Sequence, residues 1–236
     1  MSADLAALTG FDVPTGLLIG GEWSSGQNQR LAVVDPATEN VLAEVADGTE
    51  ADGLAAVTAA YEALPRWAAT PARQRAECLR RAFDLMTARA EPFAKLMSAE
   101  NGKSLRDARA EVTYAAEFFR WYSEEAVRID GNLTTAPVAG NKILVSRQPI
   151  GVSLLVTPWN FPAAMATRKL GPALAAGCSV VLKPAEDTPL TALALAALLE
   201  EAGVPAGVVN VVSTSRPGPV VAAMMADSRV RKLSFT

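Results

Sequence analysis

The chain has 236 residues, half of them apolar, and its 22 Lys and Arg against 25 Asp and Glu give a formal net charge of −3. That length buries a sizeable core, and so mild a charge offers no basic patch for nucleic acid. No histidine is present, which excludes a Ser-His-Asp triad, a His-ligated metal and a His general base within the chain.

Cys78 and Cys178 lie far apart and form no metal-spaced pair, so no metal site and a reduced, cytoplasmic setting are expected. The first 29 residues contain no Lys or Arg, which argues against a signal peptide or presequence. The longest purely apolar run, Ala192 to Leu199, falls far short of the roughly 20 residues a bilayer requires, so no membrane partner is expected.

In chain order, residues 1–16 read as a loose lead-in. Leu17-Leu18-Ile19, Gly20 to Trp23, Ala32-Val33-Val34 and Val41 to Val45 read as short strands joined by turns. Thr49 caps a helix that should end at Leu64, before Pro65. Thr70-Pro71 opens a second helix, with Leu79, Phe83 and Met86 at helical spacing and Arg73, Arg75, Arg80 and Arg81 elsewhere on the wheel. Pro92 lies near the start of a third, which Asn101-Gly102 ends. A fourth runs from Ser104 to Arg128, and its stripe of Tyr114, Phe118 and Trp121 reads as core packing. Asn132 to Pro149 reads as a projecting hairpin around Ala139-Gly140-Asn141, with an edge in need of a partner.

From Gly151 the pattern changes. Strands at Gly151–Thr157, Cys178–Leu182, Val208–Val212 and Val230–Phe235 alternate with helices at Pro162–Ala176, Thr188–Ala202 and Pro217–Ala226. This is the βαβ grammar of a parallel, helix-covered sheet, an α/β fold. Such sheets bind ligands at the carboxyl ends of their strands, where Asn160, Lys183 and Glu186 fall.

No Gly-x-Gly-x-x-Gly or Walker motif is present, so a nucleotide would have to be held without the ordinary pyrophosphate fingerprint. Lys183 can reach hydroxyls or phosphate as a point charge, and Glu186 can accept from both hydroxyls of a ribose. Alternatively the two simply solvate the turn, with Glu186 favouring a helix start. Asn160, stiffened by Pro158 and Pro162, either donates its amide to a developing oxyanion or caps the helix. Arg168 lies about 12 Å further along that helix. It either grips a substrate carboxylate in bidentate fashion or serves the surface.

Four stretches together resemble the NAD(P)-dependent aldehyde dehydrogenase superfamily: Thr157-Pro158-Trp159-Asn160-Phe161-Pro162, Gly171 to Cys178, Lys183-Pro184-Ala185-Glu186-Asp187-Thr188-Pro189 and Lys232 to Thr236. Within it, Gln148 to Val152, Ala163-Ala164-Met165 with Thr167-Arg168-Lys169, and Gly203 to Val208 are most similar to succinate-semialdehyde dehydrogenases. The resemblance implies a Rossmann-like cofactor domain. Residues 1–131 would form its amino-terminal part, 132–149 an oligomerisation hairpin and 150–236 the βαβ core, with the catalytic domain absent.

It also implies that Asn160 is the oxyanion donor, that Thr157, Pro158, Trp159, Asn160, Lys183, Pro184, Ala185 and Glu186 line the cofactor site, and that Arg168 binds a substrate carboxylate. The reaction implied is oxidation of a small, carboxylate-bearing aldehyde through a cysteine thioester, with NAD or NADP. Its nucleophile and base fall beyond Thr236, so these residues alone are expected to be inactive. The Glu186 carboxylate should repel a 2′-phosphate and favour NAD. A homodimer or homotetramer is expected from the hairpin. The alternatives are an aldehyde dehydrogenase for another small aldehyde and a non-catalytic nucleotide-binding or interaction module.

Overall fold

The computed structural model describes residues 2–27 and 30–236. Met1 of the expected lead-in, and residues 28 and 29 of the turn before the third strand, lie outside them.

The lead-in is a helix, α1 (Ser2–Thr9). Leu5 is buried and the Thr9 hydroxyl donates to the Leu5 carbonyl at 2.9 Å, so the segment docks where a loose tail was expected. Strands β1 (Leu17–Ile19), β2 (Glu22–Ser24), β3 (Arg30–Val34) and β4 (Val41–Ala46) follow.

Helix α2 (Glu50–Ala69) opens on a reciprocal capping box between Thr49 and Asp52, which satisfies two otherwise orphaned donors. It runs through Pro65 instead of stopping there. Tyr61, whose carbonyl loses its helical donor to the proline ring, is half exposed, so water can serve that group. Beyond it Trp67 is buried, and its burial holds the last turn in place.

Helices α3 (Ala72–Ala88), α4 (Ala90–Asn101) and α5 (Leu105–Glu125) form a layer beside the sheet. Arg75 of α3 is buried, unlike Arg73, Arg80 and Arg81, and donates to the Ala175 carbonyl at 3.1 Å. Of the aromatic stripe on α5, only Phe118 packs against the core. Tyr114 and Trp121 are exposed, while Ala108, Val112, Ala115, Ala116 and Phe119 face inward. The alanines on that face let α5 approach α3 and α6 closely, and the Tyr114 and Trp121 rings are left outside.

Strands β5 (Asn132–Thr135) and β6 (Lys142–Val145) pair as an antiparallel hairpin. Both are exposed throughout, with Leu133 and Leu144 among the most open apolar side chains. The remaining elements are β7 (Val152–Val156), α6 (Pro162–Ala175), β8 (Val180–Lys183), α7 (Pro189–Glu201), β9 (Val209–Val211), α8 (Pro217–Ala226) and β10 (Val230–Phe235).

The main sheet has the order β10-β7-β8-β9-β1-β2. The first four strands are parallel, and β1 joins β9 antiparallel. The sheet is thus mostly parallel, with an antiparallel edge supplied by the amino-terminal strands. Leu155, Val180, Leu182 and Val209 pack into one core with α3 to α7, while Val152, Leu154, Val156 and Val181 pack into a second with α2. Burial on both faces explains the unbroken apolar runs.

Helices α6 and α7 both begin with proline at the first position, and neither is capped by a neighbouring side chain. A buried glutamate from the helical layer serves each instead. Glu111 of α5 accepts from the N–H groups of Ala163 (2.9 Å) and Ala164 (3.1 Å). Glu100 of α4 accepts from Leu190 (2.8 Å) and Thr191 (2.9 Å).

Burial pushes Glu100 up to about 7 from an ordinary 4.5, against the opposing hydrogen bonds from Thr191 and Leu190. A raised carboxyl value means the folded state binds the proton more tightly. This group's contribution to stability is full below pH 4.5 and is lost as pH rises through about 7, amounting to about 3 kcal/mol. Glu100→Gln should therefore flatten the decline in stability between pH 5 and pH 8, measured by urea unfolding at each pH.

Candidate functional site

The carboxyl ends of β7 and β8 lie side by side. Val156 pairs with Lys183 in register, and the Thr157 N–H donates to the Lys183 carbonyl at 3.1 Å. The turns leaving these strands border a cleft of about 540 Å³. Thr157, Pro158, Trp159, Lys183, Ala185 and Glu186 all line it. Pro184 lies buried beneath the turn and does not, and Asn160 also falls outside the lining.

Lys183 is buried up to its ammonium group, which donates to Glu186 Oε2 at 3.0 Å. Burial opposes ionisation of Glu186, but its backbone N–H and the Lys183 ammonium together hold it below the usual carboxylate range. The pair thus offers a cation and an ionised acceptor at the cleft. Glu186 does not cap α7, because Glu100 already takes the donors there.

Val156, Asp187 and Thr236 also line the cleft, and the opposite wall comes from α8 and the end of β10: Pro217, Gly218, Val221, Ala222, Met225 and Phe235. None of these was singled out in the sequence. A largely apolar cleft bearing the Lys183–Glu186 pair and Asp187 suits a flat, partly polar ligand. A ribose would find its acceptor in Glu186, and an adenine-like ring would find apolar surface on α8. These groups are compatible with an adenosine-like ligand.

Asn160 does not cap α6 either, since the helix starts after Phe161 and Glu111 serves its first donors. Its side chain is exposed, and among the described residues no partner takes its amide. Its backbone carbonyl accepts from Lys103 Nζ at 2.9 Å, and Lys103 also pairs with Glu111. Arg168 projects outward from α6 with its guanidinium over the Phe118 ring, 5.6 Å from the centroid. Its neighbour Lys169 is buried and donates to Ser234 (3.0 Å) and Thr236 (2.7 Å).

Phe118 of the α5 stripe, packed against the core on one side, thus also supplies the platform for Arg168. Sequence reasoning missed Glu111, Lys103 and Phe118 because none sits near Asn160 in the chain. The one available signal was an acidic residue at position 111 on the helix face otherwise made of small apolar side chains.

The family model described as the aldehyde dehydrogenase family matches residues 23–236. A succinate-semialdehyde dehydrogenase of Paenarthrobacter nicotinovorans is 57% identical over 196 residues, covering 83% of this chain and 44% of that protein. A glutarate-semialdehyde dehydrogenase of Pseudomonas putida is 48% identical over 92% of this chain and 45% of its own length. An NADP-dependent enzyme of E. coli superposes with a TM-score of 0.93 at 46% identity, over 99% of this chain and 47% of that one. The chain spans somewhat less than half the length of these relatives.

Removing the carboxylate at 111 orphans two buried N–H groups and unpairs Lys103. Glu111→Ala should cost about 3–5 kcal/mol in chemical unfolding, whereas Asn160→Ala should change stability by less than about 0.5 kcal/mol.

Proposed function

This chain belongs to the aldehyde dehydrogenase family, and from that premise we propose that it forms the cofactor-binding and oxyanion-stabilising part of an NAD-dependent succinate-semialdehyde dehydrogenase. The observation that carries the reading is the Lys183–Glu186 pair on the same cleft rim as the Trp159-Asn160 turn. The proposed reaction converts an aldehyde, water and the oxidised cofactor into a carboxylate and the reduced cofactor. The nicotinamide supplies the hydride acceptor. The cysteine that attacks the carbonyl and the glutamate that activates water are assigned to the portion of the relatives' length that this chain does not span.

Within this chain each role follows from position. The Asn160 amide donates to the carbonyl oxygen as it gains charge, an interaction worth about 10²–10³ in rate where measured elsewhere. Lys183 and Glu186 hold the ribose hydroxyls. Arg168, a permanent cation with a forked donor geometry, takes the distal carboxylate of the substrate, and stacking on Phe118 limits the freedom of its guanidinium. The exposed apolar hairpin β5–β6 is assigned to contact between copies, in a homodimer or homotetramer. A reducing compartment, the cytoplasm, suits the two free thiols.

The Pseudomonas putida relative supports a second reading, in which the substrate is the one-carbon-longer glutarate semialdehyde. The same guanidinium would serve either acid.

Two measurements test this. Arg168→Leu in the complete enzyme should raise KM for succinate semialdehyde about 10- to 100-fold, the loss of one charge-assisted bond, and leave KM for propanal unchanged. Equal effects on both aldehydes would remove Arg168 from carboxylate recognition. The cofactor assignment is read from kcat/KM with NAD and NADP. The Glu186 carboxylate should favour NAD, and a tenfold preference for NADP would refute that role.

A further inference from the structure

Asn160 has an exposed side chain with no partner among the described residues, so its aim is inherited from its backbone. Two side chains from a remote segment hold that backbone. Asn101 Nδ2 donates to the Trp159 carbonyl at 2.9 Å. Lys103 Nζ donates to the Asn160 carbonyl at 2.9 Å. These oxygens belong to the two peptide planes that flank the Asn160 Cα. Because each plane is rigid, fixing both restricts φ and ψ of Asn160 and with them the direction in which its side chain leaves the turn.

The clamp is itself constrained. Gly102 adopts a left-handed conformation with φ 78°, and its N–H donates to the Ser98 carbonyl at 3.0 Å. A Cβ added there would meet Pro36 Cγ at 2.7 Å. The Ser98 hydroxyl donates to the Lys103 carbonyl at 2.8 Å. Lys103 has little freedom, since its ammonium is shared with the buried Glu111 and lies 4.6 Å from the centroid of the Phe161 ring. Glu111 in turn holds the first N–H groups of α6, immediately beyond the turn.

We infer that Asn101 and Lys103 are positioning residues that set the direction of the Asn160 amide by anchoring the carbonyls on either side of it. The inference rests on the proposed role of Asn160 as oxyanion donor and deepens it. Lys103 does more than pair with Glu111: it relays the position of α5 to the peptide plane on which that amide depends.

The test uses the complete enzyme. Asn101→Ala frees the Trp159 carbonyl. Lys103→Met combined with Glu111→Gln frees the Asn160 carbonyl without leaving a buried charge unpaired. The first should lower kcat about tenfold and the second on the order of 10²-fold, the scale on which small misplacements act. The Kd for NAD, followed by fluorescence titration, should stay within about twofold by the same reasoning, because Lys183 and Glu186 are untouched. Lys103→Arg should retain part of the lost kcat.

Repeating each change in an Asn160→Ala background separates positioning from general damage. A residue acting through Asn160 adds no further loss there, whereas unrelated damage multiplies. Unchanged kcat in the clamp variants, or full multiplication with Asn160→Ala, would overturn the inference while leaving the oxyanion reading intact. Full turnover by Asn160→Ala alone would overturn both. If the double variant does not fold, Asn101→Ala carries the same comparison.

Discussion

The arrangement depends on two carboxylates buried against helix starts that are not their own. Glu111 takes the second and third donors of α6, and Glu100 takes the same two of α7. In each helix the first position is proline, which has no N–H to satisfy. One glutamate per helix therefore closes the donor account of the first turn, which buried backbone otherwise makes costly. The acidic charge is also placed where the helix dipole favours it. Because the glutamates come from α4 and α5, these bonds fasten the amino-terminal helical layer to the rim of the sheet.

That fastening explains why a helical segment far from Asn160 in the chain bears on it. The last residue of α4 is Asn101, the connection to α5 carries Lys103, and the same layer presents Phe118 beneath Arg168. The candidate oxyanion donor and the candidate carboxylate receptor both lie on or beside α6, and both are braced from α5. The cleft with Lys183 and Glu186 lies on the neighbouring turns and is completed by α8. A disturbance of α5 should thus reach the Asn160 turn before the Lys183–Glu186 pair.

Much of this was legible in the residues. The β7, β8 and β9 strands announce themselves as apolar runs because both faces are covered, and their spacing reveals the crossovers. Lys183 and Glu186 follow from the rule that ligands sit at strand carboxyl ends, whereas Thr157 and Trp159 come from the family resemblance and Asn160, which the strand-end rule also picks out, falls outside the cleft lining. What stayed hidden depended on distant partners. Tyr114 and Trp121 recur with helical period, yet periodicity marks a face without saying which face is buried; the small residues around Ala115 decided that. Pro65 failed to end α2 because Trp67 needed burial just beyond it. The lead-in became α1 because Leu5 found a core to enter. The wall from Val221 and Met225 carried no polar residue to draw notice, and the capping role of Glu100 and Glu111 appears only when two layers meet.

The two closed helix starts have an electrostatic consequence. In many nucleotide-binding sheets the unspent amide hydrogens at a helix start receive the phosphates. Here the first amide hydrogens of α6 and α7 arrive at the rim already taken by the protein's own buried glutamates. A dinucleotide approaching this edge gains no phosphate cradle from either helix and would meet a carboxylate's field if it tried. Its diphosphate must be hosted elsewhere, which is a physical reason for a sheet of this kind to dispense with the glycine fingerprint.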